Sequence, residues 1–163
     1  MKLITAFVVA AALAAAGCAS EETAPVATGG GGPVSPGGPA PNTVEYFNQV
    51  VGDRVFFDTA RHDLTPMARA TLQRQAQWIQ SNPGSSVTIE GHADERGTRQ
   101  YNLALGARRA NSVRQFLIGQ GVDATRLRAV TFGKERPVAL GSDESSWSQN
   151  RRGVSVVVGA PTS

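Results

Sequence analysis

Four short apolar runs punctuate the second two-thirds of the chain, and the spacers between them limit the folds available. Arg54–Phe57 (RVFF), Ser86–Glu90 (SVTIE), Leu127–Phe132 and Val154–Val158 each have strand length and strand composition. The first two gaps carry helical periodicity. Thr65 before Pro66 is a helix start, with Ala68, Leu72, Ala76 and Ile79 repeating at helical spacing to about Ser81. Asn82-Pro83-Gly84 stops that helix. A longer helix is predicted over Arg99–Ile118, with Leu103, Ala107, Ala110, Val113 and Leu117 as its buried stripe and Arg109 off it. Val44–Val51 reads as a short helix ending near Gly52, and Asp143–Asn150 as a short helix or turn. Alternation of this kind excludes all-β sandwiches and helix bundles. It predicts an α/β fold: a two-layer sandwich in β-α-β-α-β-(α)-β order, with helices on one sheet face and parallel neighbours across each helical crossover.

The rest of the chain is of another kind. Ala19–Asn42 holds six Gly and five Pro in 24 residues and no aromatic side chain. Such a segment cannot bury a core and is expected to be a disordered tether. Fully extended it reaches about 80 Å, and as a flexible coil about 25–30 Å. The domain is therefore expected over 43–160, with the tether and its first residue over 18–42 and a leader over 1–17. The leader begins Met1-Lys2 and continues as an uncharged run, Leu3–Gly17. That run falls short of the roughly 20 strongly apolar residues of a membrane span and has the form of a signal peptide.

Cys18, the single cysteine, follows directly as Ala15-Ala16-Gly17-Cys18. The sequence resembles a bacterial lipobox, with Ala15 where leucine is usual. The resemblance implies that Cys18 becomes the first mature residue, takes a diacylglycerol on its thiol and is acylated on its amine. Several chains on one residue would anchor the protein firmly, where one chain holds only marginally. Cleavage at an A-x-A site, leaving Cys18 as an incidental thiol, is the plainer alternative. Ala19-Ser20 lacks the Asp that marks inner-membrane retention in lipoproteins of this type, which favours the outer membrane.

Composition removes several functions. One cysteine allows no intrachain disulfide and no Cys-based zinc site, and two histidines offer little to a metal centre. Sixteen Lys+Arg against thirteen Asp+Glu leave only +3, too little for a polybasic nucleic-acid arm, and export would remove that partner. There is no H-E-x-x-H, G-x-S-x-G, P-loop or G-x-G-x-x-G, so no cofactor is expected. His92 reads as a hydrogen-bonding spacer rather than a base, and His62 as a surface or rim residue. Arg151-Arg152, opening the last strand, read as structural salt-bridge donors, with a pocket-rim role second.

The polar loop Gly91-His92-Ala93-Asp94-Glu95-Arg96-Gly97 leaves the second strand and opens the long helix, a position where such folds collect binding residues. Asp94 on the loop and Arg109 on the helix are opposed charges. Together they suit a zwitterionic ligand, Asp94 accepting from an ammonium and Arg109 gripping a carboxylate. The same pair could equally be an internal ion bridge that orders the loop.

Gly91–Thr98, Tyr101-Asn102, and Leu105-Gly106 with Arg108-Arg109-Ala110 together resemble the core motif of OmpA-like peptidoglycan-binding domains. GKERP at Gly133–Pro137, LGSDE at Leu140–Glu144 and Asn150-Arg151-Arg152 are similar to the lipid-anchored members of that family. The resemblance spans roughly Arg54–Val158 and implies a mixed four-stranded sheet. It also implies a site for the free amine and carboxylate of diaminopimelate in the peptidoglycan stem peptide. Asp94 and Arg109 would bind that end, with Leu105, Thr59 and Ala60 lining the pocket. Ala60 stands where relatives commonly have Asp, and His62 where Tyr is common. Two partners follow from the resemblance: peptidoglycan, and the periplasmic β-propeller protein TolB of the Tol system. The location implied is the periplasmic side of the outer membrane. An enzyme on the same polymer, a hydrolase or transpeptidase, is the alternative. It would need a nucleophile or a carboxylate pair, and adjacent Asp94 and Glu95 are a poor pair for glycoside chemistry.

Overall fold

Cap chemistry sets the helix starts in the computed structural model, which describes residues 38–159. The leader, Cys18 and most of the Gly/Pro segment lie outside the described residues. Thr65 accepts the Ala68 amide at 3.1 Å and Pro66 takes the first position of α2 (Pro66–Ser81). Thr98 and Asp143 cap α3 (Arg99–Gly119) and α4 (Glu144–Asn150) in the same way. Thr43 caps the short α1 (Val44–Tyr46), which continues as a π-helical turn, Phe47–Gly52. Upstream of that cap, Ala40 and Pro41 are already held. The Thr43 hydroxyl donates to the Ala40 carbonyl and the Trp78 indole to that of Pro41, both at 2.7 Å. Packing thus reaches slightly upstream of the boundary expected at Thr43.

The strands are β1 (Arg54–Phe56), β2 (Ser86–His92), β3 (Leu127–Gly133) and β4 (Arg152–Val158). Their order in the sheet is β1-β4-β2-β3. Only β2 and β3, joined through α3, are parallel neighbours; β4 lies antiparallel between β1 and β2. The expectation of parallel neighbours at every crossover therefore fails for β1 and β2. The last strand fills the gap that α2 spans, and the sheet is mixed, as the family resemblance implied.

Alternation along β2 turns Val87 and Ile89 into the core beneath α2 and α3, where Phe47, Leu72, Ile79 and Leu117 are also fully buried. The stripe expected on α3 is rotated. Leu103 and Ala107 are only half-buried, while Asn102, Leu105, Gly106 and Arg109 join Ala110, Val113 and Leu117 on the buried face. Hydrophobic periodicity misreports the first half of α3 because polar groups with satisfied hydrogen bonds occupy that face.

Candidate functional site

The site forms where β2 ends and α3 begins. Gly91 and Gly106 bring strand and helix into backbone contact: a Cβ on Gly91 would stand 1.9 Å from the Gly106 carbonyl oxygen. That approach carries Asp94, three residues past Gly91, to the flank of α3. Opposite lies the segment after β1, where Ala60 has φ +56°, the one positive φ among the described residues other than glycine. Asn and Asp tolerate that left-handed conformation better than alanine.

Thr59, Ala60, Asp94 and Leu105 line one cavity of about 240 Å³, completed by Arg96, Gly97, Tyr101 and Asn102. Four of the five pocket residues implied by the family resemblance are thus brought together. A larger groove of about 370 Å³ lies beside Arg151, between Phe57, Asp58, Thr65 and Gln149. It contains none of the expected residues and no buried carboxylate, so its size does not make it the better site.

The fifth residue stands elsewhere. Arg109 is fully buried, the largest such side chain in the domain. Its Nε donates to the Arg61 carbonyl at 2.8 Å, Nη1 to that of His92 at 2.8 Å and Nη2 to that of Asp58 at 3.0 Å. Its guanidinium also lies over the Phe57 ring, 5.2 Å from the centroid. Burial pushes its pKa down to about 10 against the opposing pull of Asp94, so it is charged at neutral pH. The position off the buried stripe is therefore corrected. No hydrogen bond or ion pair joins it to Asp94 among the described residues, so it braces the loop without forming the internal bridge. The three carbonyls it satisfies are what permit a charged side chain to lie so deep.

Asp94 is paired with two other arginines. Arg96 Nη2 meets Asp94 Oδ2 at 2.7 Å, and Arg151 Nη1 meets the same oxygen at 3.5 Å. Burial alone would raise the Asp94 carboxyl, but the Arg96 side chain and backbone amide, with Arg151, hold it below the usual carboxylate range. Arg151, 5% exposed, also donates to the Phe57 carbonyl and to Glu144, which fits its reading as a structural salt-bridge donor. The sequence reading assigned no role to Arg96. Its one available signal was its place two residues after the acid, where a side chain can fold back on a carboxylate.

Glu95, next to Asp94, turns outward and accepts from the Trp147 indole at 3.0 Å. His92 is 2% exposed with neither ring nitrogen hydrogen-bonded, and stacks on Phe132 at 5.6 Å. Among the described residues there is no cluster of three or more potential metal-ligating His, Cys, Asp or Glu side chains.

The sheet order and the pocket at the β2–α3 junction define a recognised class. A sequence profile described as the OmpA family matches residues 56–151, and the chain belongs to that family. Its relatives there include the peptidoglycan-associated lipoprotein of Agrobacterium fabrum, 52% identical over 149 residues, covering 91% of this chain and 84% of the relative. That of Rhizobium meliloti is 52% identical over 148 residues with the same coverage. The crystal structure of the peptidoglycan-associated lipoprotein from Burkholderia pseudomallei matches with a TM-score of 0.68 at 41% identity, covering 73% of this chain and 100% of that one. The C-terminal domain of Helicobacter pylori MotB shares the fold, with a TM-score of 0.61 at 23% identity over 65% of this chain and 84% of that one.

Proposed function

We propose that this protein is an outer-membrane lipoprotein whose domain holds peptidoglycan without covalent chemistry. In this reading Cys18 carries the lipid, residues 18–42 form the tether, and residues 43–160 form a periplasmic wall-binding domain. The ligand is the free diaminopimelate end of a stem peptide. Asp94 accepts from its ammonium, Leu105 packs its methylene chain, and Thr59 and Ala60 form the facing wall. Arg109 is the arginine assigned to the ligand carboxylate, and with three of its five N–H donors it also braces that wall against the end of β2. TolB is the protein partner, which would make the chain part of the Tol system that links wall and outer membrane during division.

One observation carries this reading: four expected pocket residues, from segments up to 46 positions apart, surround one cavity beside a buried, ionised carboxylate. The names of the relatives support association with peptidoglycan. An enzyme is disfavoured by geometry as well, because Asp94 points into the pocket and Glu95 away from it. No helix among the described residues is long and apolar enough to cross a membrane.

The test is sedimentation of the soluble domain with isolated sacculi. Wild type should pellet, free diaminopimelate stem peptide should release it, and Asp94→Asn should pellet poorly even where it remains folded, with a lowered melting temperature because Arg96 and Arg151 lose their carboxylate. Prolonged incubation with muropeptides should yield no new products. Equal pelleting of wild type and Asp94→Asn would remove Asp94 from the site.

A further inference from the structure

The two long helices carry charge of one sign. The 16 residues of α2 and the 21 of α3 include six Arg and no Asp or Glu. Arg109 is buried and Arg99 pairs with Glu135 at 3.2 Å, which leaves Arg69, Arg74, Arg108 and Arg114. None of these four has a carboxylate partner among the described residues, where the ion pairs join other groups. They span the layer from side to side. Arg74 Nε donates to the Val51 carbonyl at 3.4 Å on one flank, and Arg69 lies over the Phe116 ring between the helices, 5.6 Å from its centroid. Arg114 donates to the Leu127 and Ala124 carbonyls at 3.0 and 3.2 Å on the other flank, and Arg108 stands exposed on α3. Cations gathered without counter-charges repel one another, and an anionic surface relieves that repulsion.

The chain enters the domain on this same layer. The Trp78 indole of α2 holds the Pro41 carbonyl at 2.7 Å, and Pro41 and Arg74 line one groove. From Cys18 to Pro41 the coil reach is about 25–30 Å, so a lipid on Cys18 would keep this face close to a bilayer. We propose that the arginine face of α2 and α3 docks on the anionic phospholipid headgroups of the membrane that holds the lipid. The inference rests on the lipoprotein reading above. Guanidinium offers phosphate two parallel donors, and the tether makes each encounter intramolecular. One guanidinium near an anionic surface adds about fivefold in affinity, and salt screens the attraction. None of the four arginines lines the pocket, so docking and wall binding use separate surfaces.

The test takes residues 18–163 with Cys18→Ala, so that no lipid contributes, and floats them with vesicles. One set is phosphatidylcholine alone, the other equal parts phosphatidylcholine and phosphatidylglycerol. The chain should bind only the anionic vesicles and leave them at high salt. Adding Arg69→Gln and Arg108→Gln together should weaken binding about twentyfold, and Arg108→Gln alone about fivefold. Melting temperature and pelleting with sacculi should stay unchanged in both. Arg128→Gln with Arg136→Gln removes the same charge from the sheet side, where Arg128 is in register with Thr88 and Arg136 covers Phe132, and should bind as before. Equal loss in the two double variants would mean diffuse net charge and overturn the face. Lost pelleting with unchanged vesicle binding would assign the arginines to the wall instead. Binding to neither vesicle, or to both alike, would also end the proposal. Fatty-acid labelling of the unmutated chain tests the anchor separately. Label absent from Cys18 sinks the lipoprotein reading and the membrane with it, whereas label present without vesicle binding sinks the docking alone.

Discussion

Three donated hydrogen bonds hold the Arg109 guanidinium in the core, on the helix face it was expected to lie off. Arg109→Lys should therefore lower stability. A single ammonium cannot span carbonyls from Asp58, Arg61 and His92 at once, and each lost bond to a charged donor is worth about 1.5–3 kcal/mol. A fall of about 2–3 kcal/mol in urea unfolding is expected, with peptide binding reduced because the Thr59–Ala60 wall loosens. An unchanged midpoint with lost binding would leave Arg109 a ligand group and no brace. His92 gives a second expectation at this scale. Burial, then the Arg152 and Arg136 guanidinia, push its pKa from 6.5 to about 4. The Glu90 carboxylate stands 3.4 Å from Nε2 but off the hydrogen-bonding direction. Between pH 6.5 and 4 the unfolded chain binds the extra proton, so stability falls with pH in that window, by on the order of 3 kcal/mol. Asp94, held below the usual carboxylate range, adds its own loss only at lower pH still. Urea midpoints at pH 7, 5 and 4 should show His92→Phe escaping most of the loss between 6.5 and 4. A fall parallel to wild type would acquit His92.

Between elements, the decisive contact is Gly91 against Gly106. A Cβ on Gly106 would stand 2.5 Å from Thr131 Oγ1 and 2.7 Å from the Gly91 carbonyl oxygen. Gly106→Ala must push α3 off the sheet, at a cost of about 1–3 kcal/mol or more. Because β2 carries the loop with Asp94 and α3 carries Leu105, binding should fall together with the urea midpoint. A stable variant with normal binding would mean that the junction can yield without disturbing the pocket. The caps of α2 and its stop were legible in Thr65-Pro66 and Asn82-Pro83-Gly84, because capping and chain-stopping are local chemistry. The placement of β4 between β1 and β2 was not, since strand order depends on pairing between distant segments.

Across the whole molecule, the pocket and the entry of the chain lie toward opposite ends of the sheet. Asp94 follows the end of β2, while Pro41 is held by Trp78 near the end of α2, just before β2 starts. Seven residues of strand set these ends about 20 Å apart. A pull between lipid and wall would cross the domain along that line. Deleting Gly29–Gly38 should leave the domain's melting temperature unchanged, because Ala40 and Pro41, which make the first contacts among the described residues, are kept. The deletion should still weaken simultaneous attachment to membrane and sacculi, as the reach shortens. A lower melting temperature would show the deleted segment packing on the domain. Local patterns by themselves determined the α/β class, the helix starts and the polar loop that carries Asp94, because propensity, capping and loop composition are written within a few residues; Leu105, Thr59 and Ala60 came from the family resemblance. Only the tertiary structure decided that Arg109 is a brace and that Arg96 and Arg151 hold Asp94. Those roles depend on which carbonyls and carboxylates distant segments bring within three ångströms or so of each guanidinium, and no local pattern encodes that meeting.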